Sequence, residues 1–125
     1  EALDGAPGIY SARWAGENAP GYKWVELILS KLEGITEDKR GAWFETVVVL
    51  KSLTGQHWIF SGRVNGTIAM APRGVSHPRL PYDSLFIPEG ESRTFAEMTQ
   101  EEKNVISHRG QAFRKLKDFV QGNQI

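Results

Sequence analysis

The stretch that decides the fold runs from residue 42 to residue 62 and reads AWFETVVVLKSLTGQHWIFSG. Its first half is rich in aromatic and β-branched residues, which favour extended strands. The segment TGQ at 54–56 is typical of a turn, and HWIFSG at 57–62 has the composition of a second strand. Two strands joined by a short turn predict an antiparallel hairpin.

A helix is predicted on the N-terminal side of the hairpin, over residues 21–32. Val25, Ile28, Leu29 and Leu32 recur at the spacing of one helical face, and Gly34 is a natural stop. The charged run EDKR at 37–40 then reads as a solvated turn.

On the C-terminal side, RVNGTIAMA at 63–71 predicts a third β segment, in which Asn65-Gly66 marks a turn or a bulge in one long bent strand. Residues 71–81 contain three prolines and predict an irregular loop, followed by a short strand in YDSLFIP at 82–88. Thr99 and Glu102 form a capping box, from which the last helix runs towards Val120 and stops at Gly122.

This order of elements predicts an α+β fold, of mixed α and β structure. Its sheet is rich in antiparallel strands, and a long helix closes the chain, without the alternation of a parallel sheet. The 125 residues suffice for a single domain over 1–125.

Composition narrows the function. The chain has 15 basic and 15 acidic residues, which argues against a dedicated polyanion binder. It has no cysteine, and its three histidines lack the spacing of metal ligands, so the sequence predicts no metal residues. No stretch resembles a membrane span or a signal peptide, which predicts a soluble cytoplasmic protein. The first residues, which include no initiator methionine, suggest a piece of something longer.

Arg109 raises the question of function. It stands on the helical face shared by Val105, Phe113 and Leu116, where an apolar residue belongs. A guanidinium in a core stripe implies either a structural ion pair, for instance with Asp83, or an anion site. Spacing alone favours the ion pair.

Lys103 and His108 support the anion site on one condition. Six residues separate Lys103 from Arg109, so on an unbroken helix they point in different directions. The helix must therefore bend, end or restart near SHRG at 107–110, and Gly110 offers the break. A second basic group, with Arg73, His77 and Arg79 in a glycine-containing loop, is a weaker phosphate-binding signal.

Three blocks together carry a family resemblance: ALDGAPGIYSARWAG at 2–16, APRG with YDSLFIPEG at 71–90, and TFAEMTQEEKNVISHRGQAF at 94–113. In this order they strongly resemble the Ham1/RdgB family of inosine/xanthosine triphosphate pyrophosphatases. The resemblance implies a fold of the Ham1/Maf-like type, corresponding to the C-terminal two-thirds of the family fold.

The implied activity is hydrolysis of non-standard purine triphosphates (ITP, XTP, dITP) to the monophosphate and pyrophosphate with Mg²⁺. By resemblance, Lys103, His108 and Arg109 match purine-nucleotide contacts, and Tyr82 and Asp83 match the end of a base-recognition motif. In that motif Leu80 replaces a stacking phenylalanine and Pro81 replaces a glycine. The family's phosphate loop and its acidic catalytic and metal-binding residues have no counterpart here, so no catalytic residue is assigned and the chain alone is expected to be inactive.

Two other functions stay open. The chain is either the enzyme family's nucleotide-binding part or a non-catalytic nucleotide-binding or dimerising remnant, such as one carried on a mobile gene. Both imply a purine nucleotide as ligand and a homo-oligomer, a dimer or higher. Nucleic-acid binding is the weakest alternative and would use these basic residues: Arg73, Arg79, Arg109, Arg114 and Lys115.

Overall fold

The computed structural model describes residues 2–3, 6, 15–16, 19–75 and 80–122. These contain three helices and three strands. The helices are α1 (Gly21–Lys31), α2 (Gln100–Ile106) and α3 (His108–Gly122). The strands are β1 (Gly41–Lys51), β2 (His57–Ile68) and β3 (Phe86–Pro88). They form one sheet in the order β1-β2-β3, so the predicted fold class is confirmed.

Strand β2 is longer than predicted. The segments HWIFSG and RVNGTI belong to one strand, and Asn65-Gly66 lies inside it rather than at a turn. Gly66 pairs with Pro88 of antiparallel β3. A Cβ at Gly66 would lie 2.2 Å from the Ile87 carbonyl oxygen, so glycine is needed for this close approach. The strand predicted at 82–88 is shorter than predicted. It covers Phe86–Pro88, because Pro81–Ser84 forms a 3₁₀ turn before it.

The described residues fall into two compact units. The first unit covers 1–42 and 65–98, and the second covers 43–64 and 99–125. The single domain stays a prediction.

In the first unit, α1 begins after Pro20 and ends one residue before the predicted Leu32. Ile28 and Leu32 are buried, as the apolar spacing predicted. The core continues in Leu85, Phe86 and Phe95, all 1% exposed or less.

Arg40 corrects the prediction of a solvated EDKR turn. Residues 37–39 are exposed in a short 3₁₀ helix, but Arg40 is only 3% exposed. Its guanidinium donates to four backbone carbonyls, at 3.0–3.1 Å: those of Leu32, Ile35, Ile68 and Ala69. A buried arginine requires such complete hydrogen bonding. Arg40 therefore ties the end of α1 to the end of β2.

In the second unit, the hairpin packs its half-buried face on α3. The rings of Trp58 and Phe60 lie 5.2 and 5.4 Å from that of Phe119. Gly62 makes the approach possible, since a Cβ there would lie 2.1 Å from the His108 carbonyl oxygen. The opposite hairpin face exposes apolar side chains: Trp43, Val47, Val49 and Ile59.

None of the helices in the described ranges is long and apolar enough to cross a membrane.

Candidate functional site

The predicted site residues lie in both units. Leu80, Pro81, Tyr82 and Asp83 are in the first unit, and Lys103, His108 and Arg109 are in the second. The loop residues His77 and Arg79 fall outside the described part of the chain.

In the first unit, the site residues sit on the 3₁₀ turn Pro81–Ser84. The Asp83 amide donates to the Leu80 carbonyl at 3.1 Å, and the Ser84 hydroxyl donates to the Pro81 carbonyl at 3.1 Å. Proline suits the first position of a helical turn, where its fixed φ fits and no amide donor is needed. The replacement of glycine by Pro81 is therefore compatible with a well-formed turn.

Tyr82 presents its ring beside a second aromatic residue. Its ring centroid lies 5.6 Å from that of Trp24, with the two planes tilted by 43°. Burial raises the pKa of Tyr82 to about 12, so the phenol is neutral at physiological pH. The turn thus offers an uncharged aromatic surface, with the half-buried Leu80 next to it in sequence.

Asp83 is buried at 8% exposure, on a turn whose Pro81 and Ser84 side chains are buried as well. The turn fixes the backbone on both sides of it. A buried carboxylate held in this way is suited to orienting a ligand group by accepting hydrogen bonds.

In the second unit, the helix breaks where the sequence required it. Ser107 has ψ of 154°, which ends α2 and allows α3 to begin at His108. Its hydroxyl accepts from the Gly110 amide at 3.0 Å, which caps α3. The prediction of a break near SHRG is confirmed, but the break is at Ser107 rather than at Gly110.

Gly110 has a different role in this break. A Cβ at Gly110 would lie 2.1 Å from the Asn104 carbonyl oxygen, so only glycine permits the close approach of α3 to the end of α2.

Side chains from α3 satisfy the last carbonyls of α2. Arg114 donates to the carbonyls of Asn104 and Val105, both at 2.8 Å. Gln111 donates to the Ile106 carbonyl at 3.0 Å. In the sequence, Arg114 is a candidate only for a weak nucleic-acid surface, and Gln111 carries no predicted role.

His108 lies at the break and is held as a neutral side chain. Its ring stacks on Phe44 at 5.0 Å with planes 30° apart. Its buried Nδ1 has no hydrogen-bond partner among the described residues. Burial, followed by the positive charges of Arg109 and Lys103, lowers the pKa of His108 to about 4. Lys103 lies in the last turn of α2, and His108 and Arg109 are the first two residues of α3, so the three predicted residues flank one helix break.

Arg109 is exposed, which corrects the interpretation of a charge in a core stripe. Val105 and Phe113 on the same predicted face are also exposed, at 67% and 54%. The break at Ser107 changes which residues face inward, so that Ala112 is fully buried instead. Arg109 is therefore placed for contact with a ligand in solution.

The other predicted basic residues have partners within their own units. Arg73 pairs with Glu97 at 2.9 Å and also donates to the Ser92 carbonyl. Lys115 donates to the Ser61 carbonyl at 2.6 Å. These contacts favour a structural role for Arg73 and Lys115.

An open cleft of about 580 Å³ in the first unit contains none of the predicted nucleotide contacts, although Arg73 of the weaker basic group lines it. It is lined by Glu37, Asp38, Thr67, Arg73, Ile87, Glu91 and Ser92. The described residues also include no group of three or more histidine, aspartate or glutamate side chains that could hold a metal ion. The predicted nucleotide contacts are therefore the better candidate site.

Comparison with known proteins identifies the family of this chain. The sequence profile of the Ham1 family matches residues 1–119. A dITP/XTP pyrophosphatase from Streptomyces coelicolor is 43% identical over 120 residues, which make up 96% of this chain and 59% of the relative. A dITP/XTP pyrophosphatase from Clostridium perfringens is 44% identical over 120 residues, 96% of this chain and 58% of the relative. The chain thus spans about three-fifths of the length of these relatives.

Solved structures of Ham1 proteins are also similar to this chain. The Staphylococcus aureus Ham1 protein superposes with a TM-score of 0.88 at 37% identity, covering 97% of this chain and 61% of that one. The Coxiella burnetii HAM1 protein gives 0.87 at 35% identity, covering 98% and 62%. On the match of nearly its whole length, this chain belongs to the Ham1 family.

Proposed function

We propose that this chain is the purine-nucleotide-binding part of a nucleoside-triphosphate pyrophosphatase. The reaction is hydrolysis of ITP, XTP or dITP to the monophosphate and pyrophosphate. The chain corresponds to the C-terminal two-thirds of the family fold. The observation that carries the proposal is the position of Lys103, His108 and Arg109 on the two sides of a helix break in a Ham1-family chain.

The chemistry of this group suits a nucleotide. The side chains of Lys103 and Arg109 supply N–H donors, and neutral His108 adds a ring N–H. Such a set binds acceptor groups, namely the keto oxygens of hypoxanthine or xanthine and the oxygens of phosphate. Considered by itself, the first unit offers an apolar surface at Tyr82 and Leu80 and a hydrogen-bond acceptor at Asp83.

Magnesium belongs to the proposed reaction, because it neutralises charge on the transferred phosphoryl group when bound. The described residues do not fit this ion, since they contain no cluster of ligating side chains. We therefore assign no metal ligand and derive no step through the metal, and we expect the 125-residue chain to bind nucleotide without turning it over.

Calorimetry with inosine monophosphate tests the proposal, with and without Mg²⁺. We expect binding that needs no Mg²⁺ and that weakens about tenfold or more in Arg109→Met, since a charge-assisted hydrogen bond contributes about 1.5–3 kcal/mol. Lys117→Met is a matched control, because it removes an exposed cation from the same helix. Absence of binding by the unchanged chain would refute the proposal, and turnover of ITP would refute the expected inactivity.

A second candidate is a non-catalytic nucleotide-binding or dimerising module. The exposed apolar face of the hairpin, with Val47, Val49 and Ile59 each more than half exposed, supports it. This candidate predicts a homodimer or higher oligomer in the cytoplasm. Light scattering at high concentration tests it, and a monodisperse monomer would contradict it.

A further inference from the structure

We propose that Arg114 is a positioning residue for the nucleotide site: by donating to the last carbonyls of α2, it holds the helix break that brings Lys103 and Arg109 to one ligand. This inference rests on the proposed function. Arg114 itself touches no ligand in this proposal and acts through the backbone of α2.

The break removes hydrogen bonds that a continuous helix would make. In a continuous helix, each carbonyl accepts from the amide four residues later. The carbonyls of Asn104 and Val105 would then accept from the amides of His108 and Arg109. With ψ of 154° at Ser107 the helix does not continue, and these carbonyls need other donors.

Side chains of α3 replace the missing donors one for one. The two terminal nitrogens of Arg114 serve the carbonyls of Asn104 and Val105, at 2.8 Å each. The Gln111 amide serves the carbonyl of Ile106. The Gly110 amide, which would have served Ile106, donates to the Ser107 hydroxyl instead. These three carbonyls thus accept as many hydrogen bonds in the broken conformation as they would in a straight helix.

The break has a consequence for the predicted site. Six residues along a straight helix, Lys103 and Arg109 would be about 120° apart around the axis. In the structure they lie on different helices, Lys103 in the last turn of α2 and Arg109 in the first turn of α3, so this separation around one axis no longer applies. The break also puts the amides of His108 and Arg109 in the first turn of α3, where they have no acceptor within the helix. Removing Arg114 favours the straight helix and separates these groups.

The test compares Arg114→Ala, Arg114→Lys and the control Lys117→Ala in the 125-residue chain. Calorimetry with inosine monophosphate, well below the unfolding temperature, is expected to show affinity reduced up to about fivefold in Arg114→Ala, because part of the folded population then adopts the straight helix and cannot bring Lys103 and Arg109 to one ligand. Arg114→Lys, which keeps one charged donor, should bind with intermediate affinity. Lys117→Ala should match the unchanged chain. A role limited to stability would lower the unfolding temperature and leave the affinity of the folded chain unchanged.

A spectroscopic measurement separates this inference from the proposed function. The ring nitrogens of His108 are titrated by NMR, and the amide exchange of Ser107 and Gly110 is measured. In Arg114→Ala, the His108 titration is expected to move towards the ordinary range and both amides to exchange faster. Unchanged titration and exchange would overturn the positioning role, whether or not the chain binds nucleotide. If the unchanged chain fails to bind while these signals move, only the proposed function is refuted. If Arg114→Ala does not fold, Arg114→Lys and Gln111→Ala are measured in the same way.

Discussion

Two arginines, one in each compact unit, donate to backbone carbonyls at the end of a helix, and they differ in burial. Arg40 is 3% exposed and satisfies four carbonyls at the end of α1 and of β2. Arg114 is exposed and satisfies two carbonyls at the end of α2. A buried carbonyl that loses its donor stays unsatisfied, whereas an exposed one binds water. The same hydrogen bonds thus determine stability in the first unit and local conformation in the second.

The largest expected effect on stability comes from replacing Arg40. Arg40→Ala should lower the free energy of unfolding by about 3 kcal/mol or more, because it leaves several buried carbonyls without donors. Arg114→Ala should lower it by only about 1 kcal/mol, since water replaces the guanidinium. Urea unfolding of both variants measures the difference, with the exposed Lys39→Ala as the control. Equal losses in the two arginine variants would show that burial is not the deciding factor.

The next prediction concerns the glycine at the helix break. Gly110→Ala should lower the free energy of unfolding by about 1–3 kcal/mol, because the added Cβ would lie 2.1 Å from the Asn104 carbonyl oxygen. Gly122→Ala, in the same helix, meets nothing within 4 Å and should be neutral or slightly stabilising. Thermal unfolding of the pair checks this. A Gly110→Ala chain as stable as the unchanged one would mean that the close contact between α2 and α3 does not exist.

Two capping boxes, one in each unit, provide a second test of the effect of burial on stability. Thr94 is fully buried and its hydroxyl donates to the Arg73 carbonyl at 2.8 Å, while Thr99 is exposed at the start of α2. Thr94→Ala should lower the free energy of unfolding by about 2 kcal/mol, and Thr99→Ala by about 1 kcal/mol. Replacement of each by serine keeps the hydroxyl and serves as the control. A larger loss at Thr99 would reverse the proposed importance of burial.

The smallest expected effect is the change in the free energy of unfolding with pH that His108 causes. Its pKa is about 4 in the folded chain and near 6.5 when unfolded, so the unfolded state binds the proton first as pH falls. The free energy of unfolding should therefore fall between pH 6.5 and 4, by about 1 kcal/mol once solvent screening is allowed for. Denaturant titrations across this range measure the slope.

His108→Gln is the matched control for that slope and should flatten it above pH 4.5. Glu97 adds its own loss only at lower pH, because its pKa is lowered first by the hydrogen bond from the Thr94 backbone and then by Arg73. A slope above pH 4.5 that persists in His108→Gln would show that another group is responsible.

Several elements were readable from the sequence because their signals are local. The spacing of apolar residues gave α1 to within one residue, and Thr99 with Glu102 gave the start of α2. The capping box of Thr94 and Glu97 has the same sequence signature, but the predicted elements do not include it. The family resemblance also came from the sequence alone and is confirmed by the match over residues 1–119.

The sequence by itself determined the hairpin, the helices, the family and the need for a break near SHRG, because short-range periodicity and capping express themselves within a few residues. Only the tertiary structure decided that Arg40 is buried, that Arg109 is exposed and that Ser107 is the point of the break. The partners of Arg40 lie up to 29 residues away, and those of Arg114 are ten and nine residues away. A long side chain with several donors can reach many carbonyls, and only the packed chain shows which of them lack a donor.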